Sequence, residues 1–228
     1  MNTLNIKKFL KDLKENPYEY KKVLQFVKDN TPQNGKILDV GCGYGRYLKP
    51  LSKEFKNIVG VEANKLIRDT LIQKGLKVVS PEKLDRKERF DTIIMSHIIE
   101  HFHPEELIEM MDRYLDLLKV GGCIIIATPT LTETFYMDLD HKRPYYPQSI
   151  EEVFDGNNQQ IKSYSKNRLR TEKIHFRKSR FQLFKNSLLF NNTKNLGIAI
   201  NILLALIFRI SFGLIGYKSG WIGIFRKF

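Results

Sequence analysis

Ile37-Leu38-Asp39-Val40-Gly41-Cys42-Gly43-Tyr44-Gly45 is the stretch on which the fold turns. The apolar run from Lys36 to Val40 reads as a buried parallel strand, and it empties directly into glycines at 41, 43 and 45. Such glycines let the backbone turn sharply and then come close to a bound nucleotide-like ligand. The segment that follows, Arg46–Glu54, reads as a helix whose N-terminal amides face the same crevice. A Gly-x-Gly-x-Gly loop alone is shared by several nucleotide-binding folds. The carboxylate of Asp39 narrows the choice, because it would repel a pyrophosphate but not a ligand carrying cationic groups.

With Asp39 in front of it, this loop resembles the first motif of the class I S-adenosylmethionine-dependent methyltransferases, whose cofactor carries an amino group and a sulfonium and no phosphate. Asn57-Ile58-Val59-Gly60-Val61-Glu62 reads as a short apolar strand ending in an acid, 17 residues beyond Gly45. A carboxylate there can accept hydrogen bonds from both ribose hydroxyls. Phe90 to His101 is similar to the family's fourth strand and its exit. The resemblance covers about residues 17 to 155. It implies an α/β, Rossmann-like class I methyltransferase fold: a mostly parallel seven-stranded sheet with helices on both faces and an antiparallel closing edge. It also implies S-adenosyl-L-methionine as cofactor, held by Asp39, Gly41, Gly43, Gly45, Glu62 and Ala63, with Ser96 and His97 at its methionine end. An acid near the end of the third strand, Leu76–Ser80, would meet the adenine amino group in the family; Ser80, Pro81 and Glu82 stand there instead, which leaves Ser80 as the contact.

The 228 residues carry a net charge of +13, placed unevenly. Residues 1–159 hold 24 Lys+Arg and 24 Asp+Glu; residues 160–228 hold 14 Lys+Arg and one acid, Glu172. Such asymmetry speaks of partners rather than of fold. Two cysteines, Cys42 and Cys123, make no disulfide framework, and the first 30 residues show no signal-peptide apolar core. The expected organisation is N-terminal helices over the cofactor cleft in 1–30 (4–15 and 17–30), a methyltransferase core in 31–180, a basic and apolar insertion in 181–219, and a closing strand in 220–228. Within the core, Asn64–Lys74 reads as a helix capped by Gly75, and Pro104 opens an amphipathic helix ended by Gly121-Gly122. Cys123–Ala127 reads as a strand, Ser149 and Glu152 as a capping box, Arg170–Arg180 as a sixth strand and Trp221–Phe225 as the last.

Methyl transfer to an alcohol is an in-line displacement, and the protein must position the partners and remove a proton. His101 and His141, after the fourth and fifth strands, are the candidate bases. His97-x-x-Glu100-His101 matches the inverted zincin spacing, but His97 leaves a buried strand rather than a helix, so no metal is expected. Asp138, Asp140, Arg143, Tyr145 and Tyr146 form a polar-aromatic loop at the ligand edge of the sheet, suited to binding an acceptor; an Arg–Asp pair stapling the loop is the structural alternative. The run from Asp140 to Tyr145 resembles a pattern of methyltransferases in glycan pathways, implying O-methylation of a sugar or glycan intermediate. Lipid or quinone-type acceptors are the alternative, and a non-catalytic, membrane-attached cofactor-binding module is the alternative of another class. Residues 196–208 are uncharged and apolar, which speaks against a nucleic-acid face and for either an anionic membrane surface, touched through Leu203 and Phe208, or a buried lid. The expected location is cytoplasmic, peripheral on the inner face of the membrane.

Overall fold

The computed structural model describes residues 18–156, 165–182 and 194–228; the helix expected over 4–15 lies outside them. Helix α1, Tyr18–Asn30, turns Glu19, Val23, Phe26 and Val27 inward at helical spacing. Strand β1, Ile37–Val40, is buried along its whole length and sits between β2 (Ile58–Val61) and β4 (Phe90–Ser96), parallel to both. Strands β3 (Val78–Val79) and β5 (Leu118–Pro129) extend the parallel set on either side. Strand β7, Tyr217–Lys227, pairs antiparallel with β5 from Cys123↔Arg226 to Pro129↔Gly220, and β6, Leu169–Ser179, lies beyond it. The order β3-β2-β1-β4-β5-β7-β6 is the seven-stranded, Rossmann-like arrangement expected from the sequence. Because β1 to β5 run parallel, the residues leaving them share one edge. The order reverses between β1 and β4, where open α/β sheets bind ligands.

The connections depart from the sequence reading in three places. Helix α2 spans only Leu48–Leu51, because Gly45 (φ +77°) holds the preceding residues in a turn and Pro50 withholds an N–H. Gly121-Gly122 does not end a helix. Helix α4, Pro104–Leu115, stops earlier, and the glycines sit in an irregular stretch of β5, where Leu118 pairs with Phe90 but Cys123 already pairs with Thr92. Helix α5, Pro147–Asp155, starts two residues before Ser149: Pro147 presets the first turn and Tyr146 takes the cap position, so no Ser149–Glu152 box forms. Elsewhere the fit is close. Helix α3, Lys65–Gln73, is capped by the Asn64 side chain, which accepts from the Leu66 and Ile67 amides. On α4, Leu107, Met111, Tyr114 and Leu115 are buried.

The chain divides into two compact units: Glu19–His175 with Gly220–Phe228, and a second, Met1–Tyr18 with Phe176–Ser219, of which Tyr18, 176–182 and 194–219 are described. In the first, Arg226 clamps four elements. Its guanidinium pairs with both oxygens of Glu172 on β6 (Nη2–Oε2 2.7 Å), and it donates to the Gly121 carbonyl on β5 (2.8 Å) and to Asn30 Oδ1 on α1 (3.0 Å). The second contains α6, Lys194–Ile210, and a turn in which the Phe208 ring packs against Gly213 and Gly216.

Candidate active site

The turn after β1 uses left-handed backbone, which favours glycine. Gly43 (φ +50°) has open space where a Cβ would stand, while a Cβ at Gly41 (φ +64°) would fall 2.0 Å from Ile98 Cδ1. Glu62, at the end of β2, accepts from the Gly43 amide at 2.9 Å and from the Asn64 amide at 2.8 Å. Each oxygen keeps a further lone pair, so hydroxyl donors can still be accepted there. Ala63, next to it, is exposed, and its carbonyl accepts from Arg68. Ser80, at the end of β3, is buried.

Asp39 is 2 % exposed, and its Oδ2 has no hydrogen-bond partner. Burial pushes its carboxyl up to about 7; the Leu48 backbone N–H opposes this, and the nearby Glu62 charge adds to it. An orphaned, buried carboxylate oxygen beside a glycine turn with open space suits a ligand that brings a cationic donor. The ammonium of S-adenosylmethionine is such a donor, so the residues fit this cofactor.

His97 leaves β4 in a left-handed backbone conformation (φ +56°) and stands between two buried carboxylates. Its Nε2 lies 2.8 Å from Glu19 Oε1 on α1, and its Nδ1 lies 3.2 Å from Glu100 Oε1. Desolvation pulls its pKa down, but Glu100 and Glu19 outweigh that and lift it to about 9. Both nitrogens face acceptors, so the ring is an imidazolium. Glu100 Oε2 in turn accepts from Thr128 Oγ1 at 2.9 Å. Alongside, Arg46 comes within 3.9 Å of Glu19 and lies over the rings of Tyr20 and Tyr47, which stack 5.8 Å apart. Ser96 donates to the Tyr47 hydroxyl at 3.3 Å. The sequence reading assigned His97 to the cofactor and left Glu19, Arg46 and Tyr47 without roles. The available signal was an acid on the inward face of an amphipathic helix, in phase with Val23 and Phe26.

His101 and His141 are brought together, their ring centroids 5.0 Å apart. His101 Nδ1 lies 3.2 Å from the Asp140 carbonyl and His141 Nδ1 2.8 Å from that of Phe135. A carbonyl only accepts, so each Nδ1 carries a hydrogen and Nε2 is the nitrogen left to meet an acceptor's hydroxyl. Asp138 Oδ2 sits 3.7 Å from His141 Nε2. Ligating atoms of Glu100, His101 and His141 lie within 4.8 Å of one another. Of the Glu100 oxygens, Oε2 accepts from Thr128, whereas Oε1 makes no hydrogen bond and stands 3.2 Å from His97 Nδ1. Of the acceptor-loop residues, Asp138, Asp140, Arg143 and Tyr146 are exposed. Tyr145 is not available: it is buried, its hydroxyl donates to the Phe102 carbonyl (2.9 Å), and its own carbonyl accepts from Trp221 Nε1 (2.8 Å). Its flat, polar-tipped side chain fills the space under the loop. Among the described residues no ion pair joins Arg143 to Asp138 or Asp140, and Arg143 lies over the Tyr145 ring instead.

Sheet order, glycine turn and acid-tipped β2 together define a class I S-adenosylmethionine-dependent methyltransferase. A methyltransferase domain family matches residues 13–182, and the chain belongs to it. A solved S-adenosylmethionine-dependent methyltransferase from Archaeoglobus fulgidus superposes with a TM-score of 0.62 at 20 % identity, covering 96 % of this chain and 99 % of that one. Magnesium protoporphyrin IX methyltransferase from Synechocystis, solved with bound S-adenosylhomocysteine, gives 0.58 at 13 % identity, covering 99 % and 88 %. At these identities the likeness is one of fold. Among curated relatives, the ubiquinone biosynthesis O-methyltransferase of Pelagibacter ubique is 31 % identical over 117 residues, 48 % of each chain. The mitochondrial enzyme of that name from Mus musculus is 33 % identical over 137 residues, 49 % of this chain and 36 % of its own. The chain thus spans less than half the length of these relatives. Neither is named for a glycan, so the resemblance to glycan-pathway enzymes is not supported.

Proposed function

We propose that this enzyme O-methylates a ring hydroxyl of an apolar, quinone-type acceptor. The observation that carries this reading is the loop after β5. It presents Leu131, Tyr136, Met137 and Leu139 to solvent, Leu139 at 90 % exposure, on the same segment that bears His141. Exposed apolar side chains gathered on one loop at the ligand edge of the sheet are costly in water and suit something apolar. A polyhydroxylated glycan would leave them uncovered. The names of the curated relatives support the same choice. S-adenosylmethionine, when bound, supplies the methyl group. Asp39 and Glu62 hold and orient the cofactor, and the histidine pair takes the acceptor's proton at an Nε2. Purified enzyme with S-adenosylmethionine should form S-adenosylhomocysteine with a prenylated dihydroxybenzene, and shortening the prenyl tail should raise KM at least tenfold. Turnover with nucleotide sugars but not with the prenylated ring would return the acceptor to the glycan class.

The second unit supports a further part of this reading, docking to an anionic bilayer surface on the cytoplasmic side. No described helix is long and apolar enough to cross a membrane. Yet Leu203, Leu206, Ile210, Phe212 and Leu214 are exposed on α6 and the turn after it, Phe212 at 96 %. Residues 176–219 contain Arg177, Lys178, Arg180, Arg209 and Lys218 among their cations and no acid. Such a face would repel a second copy of itself and attract acidic headgroups, each basic residue near the surface contributing ~1 kcal/mol. Phe208, by contrast, packs within its own turn, so Phe212 and Leu203 are the residues to test. Flotation with phosphatidylglycerol vesicles should occur at low salt and fall steeply as salt rises. Polar replacement of Leu203 and Phe212 should weaken it about tenfold. No flotation with either anionic or neutral vesicles would remove the membrane from the proposal.

A further inference from the structure

The buried carboxylate of Glu19 has no part in methyl transfer as described above, and its surroundings give it a different task. We infer that Glu19 is a positioning residue for the cofactor: through His97 it clasps α1 across the exit of β4 and holds the methionine side of the cleft closed. The inference rests on the cofactor assignment and is independent of the acceptor.

Four observations carry it. Glu19 is 1 % exposed, on the helix face that also buries Val23. A carboxylate in such a place costs far more than an apolar residue unless a charged partner meets it, and the partner here is an imidazolium at 2.8 Å. That imidazolium sits on a backbone only a strained residue adopts, φ +56°; strain of this kind clusters at functional sites. The far side of the clasp is anchored in the sheet, because Glu100 faces His97 at 3.2 Å and takes the Thr128 hydroxyl from the end of β5. Finally, the same Glu19 oxygen is 3.9 Å from Arg46, the residue after the last glycine of the cofactor turn. Arg46 covers Tyr20 of α1 and Tyr47, and Tyr47 receives the Ser96 hydroxyl.

One carboxylate therefore joins three segments: the cover helix, the glycine turn and the β4 exit. The latter two carry residues of the cofactor site, and α1 lies against both through Glu19 and the Tyr20–Tyr47 stack. At the N-terminal end of α1 the contacts at Glu19 oppose its opening, beside the apolar residues Val23, Phe26 and Val27; Lys28 and Asn30 tie the other end to Glu54 and Arg226.

The test is binding of S-adenosylhomocysteine, which involves neither acceptor nor turnover. Glu19→Gln keeps the shape and removes the charge. It is expected to raise the Kd about tenfold, chiefly through faster dissociation, while kcat at saturating cofactor stays within about twofold. His97→Gln should also weaken binding, and the double variant should lose less than the two single losses combined, because the Glu19–His97 contact is common to both. In the unmodified protein, amide exchange over residues 20–30 should slow when S-adenosylhomocysteine is added. Wild-type affinity in Glu19→Gln, with or without a lowered melting temperature, would make the clasp purely structural and overturn the inference. So would α1 exchange that ignores the ligand, a measurement that stands even if the variants fail to fold. Failure of the unmodified protein to bind S-adenosylhomocysteine would instead overturn the cofactor assignment.

Discussion

Affinity for S-adenosylhomocysteine is expected to rise about tenfold per pH unit from pH 5 to 7, roughly 100-fold in all, and then to level off. The cause is Asp39. Its carboxyl is pushed up to about 7, chiefly by burial, so below that pH the free protein holds it neutral. A ligand ammonium beside Oδ2 favours the ionised form, so binding must release the proton, and the cost of that release falls as pH approaches 7. Asp39→Asn should bind weakly at every pH and show no such slope. The linkage has the opposite sign for the empty protein. The folded state keeps the Asp39 proton above pH 3.8 while the unfolded chain gives it up, so stability without ligand decreases as pH rises from about 4 to 7. The asparagine variant should therefore melt higher than the parent at pH 8. Calorimetric titration across pH and thermal unfolding check the two halves. A parent protein whose affinity is flat from pH 5 to 7 would place the ammonium elsewhere.

Turnover should depend still more steeply on the histidine pair. Replacing the general base with Gln should lower kcat ~10²–10⁴-fold and leave cofactor affinity nearly unchanged. The geometry favours His141. The Phe135 carbonyl fixes its Nδ1 as the protonated nitrogen, and the Asp138 carboxylate, 3.7 Å from Nε2, is placed to stabilise the imidazolium formed when a proton arrives. Asp138→Asn should accordingly cost a smaller part of the same loss, in kcat rather than in KM. His101 packs edge-on against the His141 ring, so its replacement by Gln should cost less. A large loss confined to His101→Gln would move the base to that ring. Unchanged kcat in both single variants would show that neither imidazole takes the proton.

How much of this was legible in the sequence depended on whether local pattern or long-range contact set the outcome. The strands and the glycine turn could be read because a buried parallel strand is a continuous apolar run and a left-handed turn demands glycine. The placement of Asp39 and Glu62 toward the ends of β1 and β2 could be read because each acid comes near the close of a short apolar run. The pairing of His101 with His141 was legible only as two loops at one edge; the 5.0 Å separation comes from how the 135–141 turn folds back. Tyr145 was misjudged because nothing local says that its hydroxyl reaches Phe102, 43 positions away. Glu19 was missed for a similar reason: its partner His97 is 78 residues distant, and its only local trace was an acid in phase with buried apolar residues. Gly121-Gly122 misled because a glycine pair after a helix serves equally well in an irregular strand.

The position of β7 between β5 and β6 has a consequence for how this chain could have acquired, or could lose, its basic and apolar unit. That unit enters from β6 and leaves into β7, two neighbouring strands at the margin of the sheet. None of the parallel pairings from β3 through β5 involves it, and the Arg226 clamp lies wholly in the other unit. A short hairpin joining β6 to β7 in place of this cassette would leave the register of every parallel strand undisturbed.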